Sequence, residues 1–237
     1  MGKRTRGERA GLSRTRVLDA ALNLVDREGV GALTMRRLGV ELDVEAMTLY
    51  HYVPNKDALL DGLVERLFSQ ALPFADEGAE TDTDADADTA TDIESADWRA
   101  LLRTYAVSLR QSLLRHPGVL SFAVSRPAVT PTTLDAVERG LTVLTASGFP
   151  LGAAVHALNT LSLFVVGHTA AEAAQPSRAD APGSPAWLAE LDAARYPLLT
   201  EAARTGAGTD DAERFDFAVN ALVNGFGAVL DQTVSDG

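Results

Sequence analysis

Residues 34–56, TMRRLGVELDVEAMTLYHYVPNK, restrict the fold of this chain more than any other stretch. Met35, Leu38, Val40 and Leu42 are apolar with Arg36, Arg37 and Glu41 between them, which reads as one short helix capped by Thr34. Asp43 and Val44 break the run, and Glu45 to Tyr52 reads as a second short helix. Pro54 stops it, because the proline ring pushes Val53 out of the helical region. Two helices of about two turns with a tight turn between them suit a helix-turn-helix, whose second helix can lie in a DNA major groove. Thr48, Tyr50, His51 and Tyr52 crowd the end of that second helix. Polar-tipped side chains there are costly as core and useful against phosphates and base edges. Periodicity alone does not separate this arrangement from an ordinary three-helix core.

The flanks are helical too. Ser13 is placed to cap a helix whose Val17, Leu18, Ala21, Leu22 and Val25 share one face, and Gly29 would end it in a left-handed conformation. Lys56 to about Leu72 forms a further helix with Leu59, Leu60, Leu63, Val64 and Leu67 on its buried side, and Pro73 ends it. Residues 76–97 carry ten acids and no base. Their alternating Asp pattern lacks the Gly turn and terminal Glu of a calcium loop, so the segment reads as a disordered acidic insert. From Trp98 the pattern is helical again, with Trp98, Leu101, Leu102, Tyr105, Leu109, Leu113 and Leu114 on one face and a break at Pro117. Helices follow at Leu134 to Ala146, Leu151 to Ala174, Trp187 to Arg204 with an interruption near Pro197, and Asp211 to Thr233. The third from last is apolar on most sides and must be covered, by the core or by another subunit. The fold class is all-α.

Composition excludes several chemistries. Zero cysteines remove disulfides, thiolate catalysis and Cys-ligated zinc. There is no uninterrupted run of eighteen apolar residues, and the basic N-terminus lacks the apolar stretch of a secretory signal, so the expectation is a cytoplasmic chain with no membrane span. A net charge of −12 by itself argues against nucleic acid, but residues 1–37 hold nine Lys and Arg against four Asp and Glu. Phosphate binding needs local positive charge, not a basic whole.

The stretch SRTRVLDAALNLVDREGVGAL before the motif, the segment TLYHYVPNKDALL at 48–60 and DALLDGLVERLF after it resemble the DNA-binding domain of the tetracycline-repressor family. A looser resemblance to that family's tetracycline-class regulatory domain runs through LLRTYAVSLRQSLLRHPG, SRP at 125–127 and GFPLGAAVHALNTLSLFVVGH. The two resemblances imply a helix-turn-helix domain at 12–72, after a basic arm at 1–11, and a ligand-binding and dimerisation domain at 98–237; the acidic insert at 73–97 is a departure from the family. The long helix after Lys56 would be the lever between the two domains. Implied DNA contacts are Thr34, Met35, Arg36, Ala46, Met47, Thr48, Tyr50, His51, Tyr52 and Lys56. Arg36 would reach a guanine edge, Ala46 and Met47 could offer only apolar contact such as to thymine methyls, and Tyr50, Tyr52 and Lys56 would hold phosphates. Arg37 reads as a surface or phosphate residue. The tyrosines could instead pack as core with a wet tip.

For the second half, the resemblance implies a homodimer on a palindromic operator, with Leu163, Gly167, Val223, Phe226, Gly227 and Leu230 between the subunits. Small residues Gly225, Gly227 and Ala228 would let helices approach closely. A small-molecule effector would sit among Tyr105, Leu109, Phe122, Ser125, Leu141, His156, Asn159, Thr160, Phe164 and His168, each of which could equally be ordinary core. His156, Asn159 and Thr160 share a helical face, so that strip lines either a pocket or an interface. Family members that hold magnesium and tetracycline use a histidine where this chain has Phe122 and another at about Leu72. The expectation is therefore a mostly apolar effector, no metal and no cofactor. The rival readings are an enzyme using His156 or His168 with acidic residues, and a helical adaptor that does not bind DNA.

Overall fold

A computed structural model of the chain describes residues 12–71, 97–123, 130–174 and 182–235. These are helical, with no strand among them: α1 (Arg14–Glu28), α2 (Met35–Glu41), α3 (Ala46–Leu49), α4 (Lys56–Ala71), α5 (Trp98–Arg115), α6 (Pro117–Ala123), α7 (Pro131–Ala146), α8 (Leu151–Ala173), α9 (Pro185–Ala189), α10 (Pro197–Thr205) and α11 (Asp211–Ser235). The all-α expectation holds. The arm at 1–11, nearly all of the acidic insert, Ser125 and Leu72 lie outside the described residues. The chain divides into two compact units, Met1–Gly167 and His168–Gly237.

In the first unit α4 is the hub: it packs against α1, α5, α6 and α7. Its Leu59, Leu63, Val64 and Leu67 are fully buried, as are Val17, Ala21 and Leu24 of α1. Burying a leucine or valine contributes about 1.5–3 kcal/mol each. The ion pairs Arg14–Glu65 (2.6 Å) and Arg66–Asp19 (2.9 Å) tie α1 to α4. Exposed on at least one side, they contribute about 0–1 kcal/mol each, so the apolar face decides the packing and the pairs set its register. His116, at the α5–α6 junction, reaches Asp26 of α1 with Nδ1 2.6 Å from Oδ2. Gly118 lies so close to α1 that a Cβ there would stand 2.9 Å from the Val25 carbonyl oxygen. The helix at the start of the DNA-binding region is thus seated on both the lever α4 and the turn into α6. Trp98 meets Phe149 edge-on, with ring centroids 4.8 Å apart, and closes α5 against the start of α8.

By length and composition α8 could pass for a membrane span. Its Ala154, Ala157, Leu161 and Val165 are buried in the protein, and His156, Asn159 and Thr160 occupy its exposed side, where a lipid-facing helix excludes polar groups. In the second unit α9 packs on α10, and α11 turns Phe215, Val219, Val223 and Gly227 inward at a spacing of four. The interruption expected near Pro197 is a break between α9 and α10, since Pro197 opens α10.

Candidate nucleic-acid interface

Ser13 and Thr34 cap α1 and α2 as expected: Ser13 Oγ accepts from the Arg16 N–H (3.1 Å) and Thr34 Oγ1 from the Arg37 N–H (3.1 Å). That bond uses Thr34 Oγ1 as an acceptor and leaves its hydroxyl proton uncommitted. Gly29 has positive φ (79°) but ψ of 162°, an extended conformation and not the left-handed helical cap expected. The turn after α2 is tighter than its sequence suggests. The Val44 N–H bonds the Gly39 carbonyl (2.9 Å) and the Asp43 N–H the Val40 carbonyl (3.3 Å), with Asp43 at φ 52°. These are the two bonds of a Schellman motif, here closed by aspartate where glycine is usual.

The second helix of the motif is shorter than expected. Only Ala46–Leu49 is α-helical, and Tyr50–Tyr52 continue as turns in which His51 N–H bonds Thr48 O (3.3 Å) and Tyr52 N–H bonds Leu49 O (2.9 Å). Leu49 and Val53 are core, as their spacing implied. Asn55 Oδ1 accepts from the Ala58 N–H (2.8 Å), so it caps α4 and places Lys56 on the first, exposed turn. Across this surface Thr34, Arg36, Met47, Tyr50, His51 and Lys56 are exposed, Met47 at 71% and Tyr50 at 44%. Met35, Ala46, Thr48 and Tyr52 are half-buried.

The basic residues separate into two sets. Arg14, Arg27, Arg37 and Arg66 are held by carboxylates, and Arg37 is held twice, by Glu28 (2.5 Å) and Glu41 (3.4 Å). Arg37's hydrogen bond holds the Glu28 carboxyl below the usual carboxylate range, and the same bond raises Arg37. Among the described residues of this region Arg36 and Lys56 have no such partner. The two cations that face outward unneutralised are those expected at the guanine edge and the phosphate.

The comparisons with known proteins agree with this geometry. Residues 17–63 match the family described as bacterial regulatory proteins, tetR family, and residues 91–230 match the tetracyclin repressor-like C-terminal domain. The chain belongs to the tetracycline-repressor family. The class D tetracycline repressor protein of Escherichia coli is 32% identical over 229 residues, covering 92% of this chain and 90% of that one. The HTH-type transcriptional repressor DrrR1 of Streptomyces coeruleorubidus is 28% identical, covering 96% of this chain and 82% of that one. Crystalline apo ActR from Streptomyces coelicolor aligns with a TM-score of 0.73 at 25% identity, covering 94% of this chain and 98% of that one. Like its family, this protein is a ligand-responsive, DNA-binding transcriptional repressor.

The residues expected around an effector are less uniformly placed. Tyr105 and Leu109 are buried on α5, while Phe122, Leu141 and Phe164 are half-buried. The Tyr105 hydroxyl donates to Ser162 Oγ on α8 (2.9 Å), whose own proton goes to the Leu158 carbonyl (2.8 Å). Burial pushes the Tyr105 phenol up, and the Ser162 bond offsets part of that. His156, Asn159 and Thr160 are exposed, in line with Leu163 (74% exposed) and Gly167. That strip lies on the exposed side of α8. In the second unit the half-buried His168 ring lies 5.4 Å from that of Phe215. Of the expected subunit contacts on α11, Val223 and Gly227 point inward and Phe226 and Leu230 are half-buried; Phe217, not among those expected, is 76% exposed.

Arg37 supplies a prediction. Glu28→Gln releases one of its two clamps and adds a phosphate-seeking cation. Binding to random DNA should strengthen, and the slope of log K against log salt should steepen by up to about one. An unchanged slope means that Glu41 alone holds Arg37 off the DNA.

Proposed function

We propose that two copies of this chain bind a palindromic operator and release it when a small, mostly apolar molecule enters the regulatory helices. The carrying observation is that, among the described residues, Arg36 and Lys56 have no carboxylate partner and are exposed, as are Thr34, Met47, Tyr50 and His51. Met35, Ala46, Thr48 and Tyr52 complete the contact surface from half-buried positions. The subunit contact is supported by α8: His156, Asn159, Thr160, Leu163 and Gly167 repeat at helical spacing on one exposed side of an otherwise apolar helix. On α11 the exposed small residues Ala221, Gly225 and Ala228, flanked by Phe217 and Val229, suit close helix approach better than the inward Val223 and Gly227. The effector reading is supported by buried Tyr105 and Leu109 and half-buried Phe122, Leu141 and Phe164, and by crystalline ActR in complex with actinorhodin. The effector would favour a conformation whose recognition helices are wrongly spaced, and that difference in affinity is the whole of the regulation.

The test is binding of the purified protein to its own upstream DNA over a salt series, with random DNA as control and sedimentation to count chains per site. Tight, specific binding by two chains with a steep salt slope is expected. Failure on a genome-wide fragment library as well sinks the operator reading.

A further inference from the structure

The test of charge pairing that separates Arg36 and Lys56 picks out a third cation, Arg139 on α7. No carboxylate, carbonyl or aromatic ring engages it among the described residues. Arg36 and Lys56 are exposed, so water satisfies them. Arg139 is half-buried, and its Nε is sealed from solvent with no acceptor. Packing the aliphatic stem of an arginine while its head stays wet explains many half-buried arginines, but it does not explain a dry Nε–H. Among the described residues no carboxylate pairs with it.

The neighbouring turns of α7 are packed against apolar side chains. Ala136 and Val143, one turn to either side of Arg139, are buried. Gly140, the next residue, backs onto α8, where its missing Cβ would lie 3.4 Å from Leu158 Cδ1. One turn along α8 from Leu158 stands Ser162, which takes the Tyr105 hydroxyl bond. Both protons of that hydroxyl pair are spent, so it can only accept. A plain hydrocarbon would leave the Arg139 Nε–H as unsatisfied as it is now.

We propose that Arg139 is an effector-binding residue, and that the effector is an apolar molecule bearing a carboxylate or similar oxyanion that accepts from the Arg139 guanidinium. This rests on the effector reading above and narrows its chemical class. The guanidinium presents several N–H donors in a plane, which suits an oxyanion better than a neutral carbonyl.

Two probes with one aromatic skeleton test it: anionic 1-anilinonaphthalene-8-sulfonate and neutral N-phenyl-1-naphthylamine, titrated by fluorescence into the full chain and its variants. Arg139→Met should weaken the sulfonate by about tenfold or more and leave the neutral probe within about twofold. Arg139→Lys should recover part of the sulfonate affinity. The unchanged neutral probe also shows that the variant is folded. Equal loss of both probes assigns Arg139 to packing and overturns the proposal. So does equal retention of both, or no saturable binding of either by the unaltered protein. Operator binding by the unaltered protein, measured alongside, keeps the readings apart. A chain that binds operator without Arg139-dependent probe binding loses only the anion site, and the reverse pattern loses only the operator reading.

Discussion

Arg36→Ala is expected to lower operator affinity by about 1–3 kcal/mol and to relax discrimination at one base pair, as loss of a bidentate guanine contact does. Lys56→Ala should behave differently: it should weaken all sequences alike and reduce the salt slope by about one, because it would neutralise a phosphate. Two exposed cations would otherwise be exchangeable surface charge, so this contrast is informative. Surface substitutions away from any contact shift stability by only about 0.5 kcal/mol either way, so thermal unfolding of both variants should be nearly unchanged. The measurement is a pair of salt titrations on the operator and on single-base variants of it. Arg36→Ala that weakens every site equally would return Arg36 to the phosphate backbone, and an unchanged affinity in both variants would remove this surface from DNA altogether.

The pairing that gives Arg36 and Lys56 their meaning could not be read along the chain. Arg37 looks as available as Arg36 in sequence, yet Glu28, nine residues earlier, is folded onto it across the turn between α1 and α2. Only the fold reveals which of two adjacent arginines is free. Much else was legible because it is local: side-chain caps at Ser13 and Thr34 and the buried stripes of α1 and α4 follow from spacing and hydrogen-bonding chemistry. The short α3 was not, because Thr48, Tyr50, His51 and Tyr52 are weak helix formers whose backbone settles into turn bonds after one helical turn. On α8 the apolar residues are spread around nearly the whole circumference. Periodicity therefore says nothing about which side faces out, and packing decides that Ala154, Ala157, Leu161 and Val165 face in and His156, Asn159 and Thr160 face out. The same limit applies to Val223: its apolar character suited an interface or a core equally, and it is fully buried in the protein's own second unit.

The geometry of the motif itself depends on Gly39, and Gly39→Val should abolish operator binding. Gly39 is the third residue from the end of α2 and accepts the Val44 N–H that closes the turn. Its Cα faces the next helix so closely that a Cβ would stand 2.8 Å from the Val44 carbonyl oxygen and 3.2 Å from the Ala46 amide nitrogen. Both are backbone atoms, so no rotamer change relieves the clash; α2 and α3 must separate. Overpacking of this kind costs about 1–3 kcal/mol of stability. The loss of binding should exceed that cost, because α3 carries exposed Met47 between half-buried Ala46 and Thr48, and a shift of about 1 Å misplaces contacts that depend on close geometry. Gly31 provides the control: a Cβ there meets nothing within 4 Å, and its φ is not positive. Gly31→Ala should leave both stability and binding intact or raise stability slightly, by restricting the unfolded chain. Thermal unfolding and operator titration on the two variants separate the possibilities. If Gly39→Val binds operator like the unaltered protein, the close crossing of α2 and α3 is not what aims the recognition helix. If it loses binding only in proportion to the fraction unfolded, Gly39 serves the fold alone.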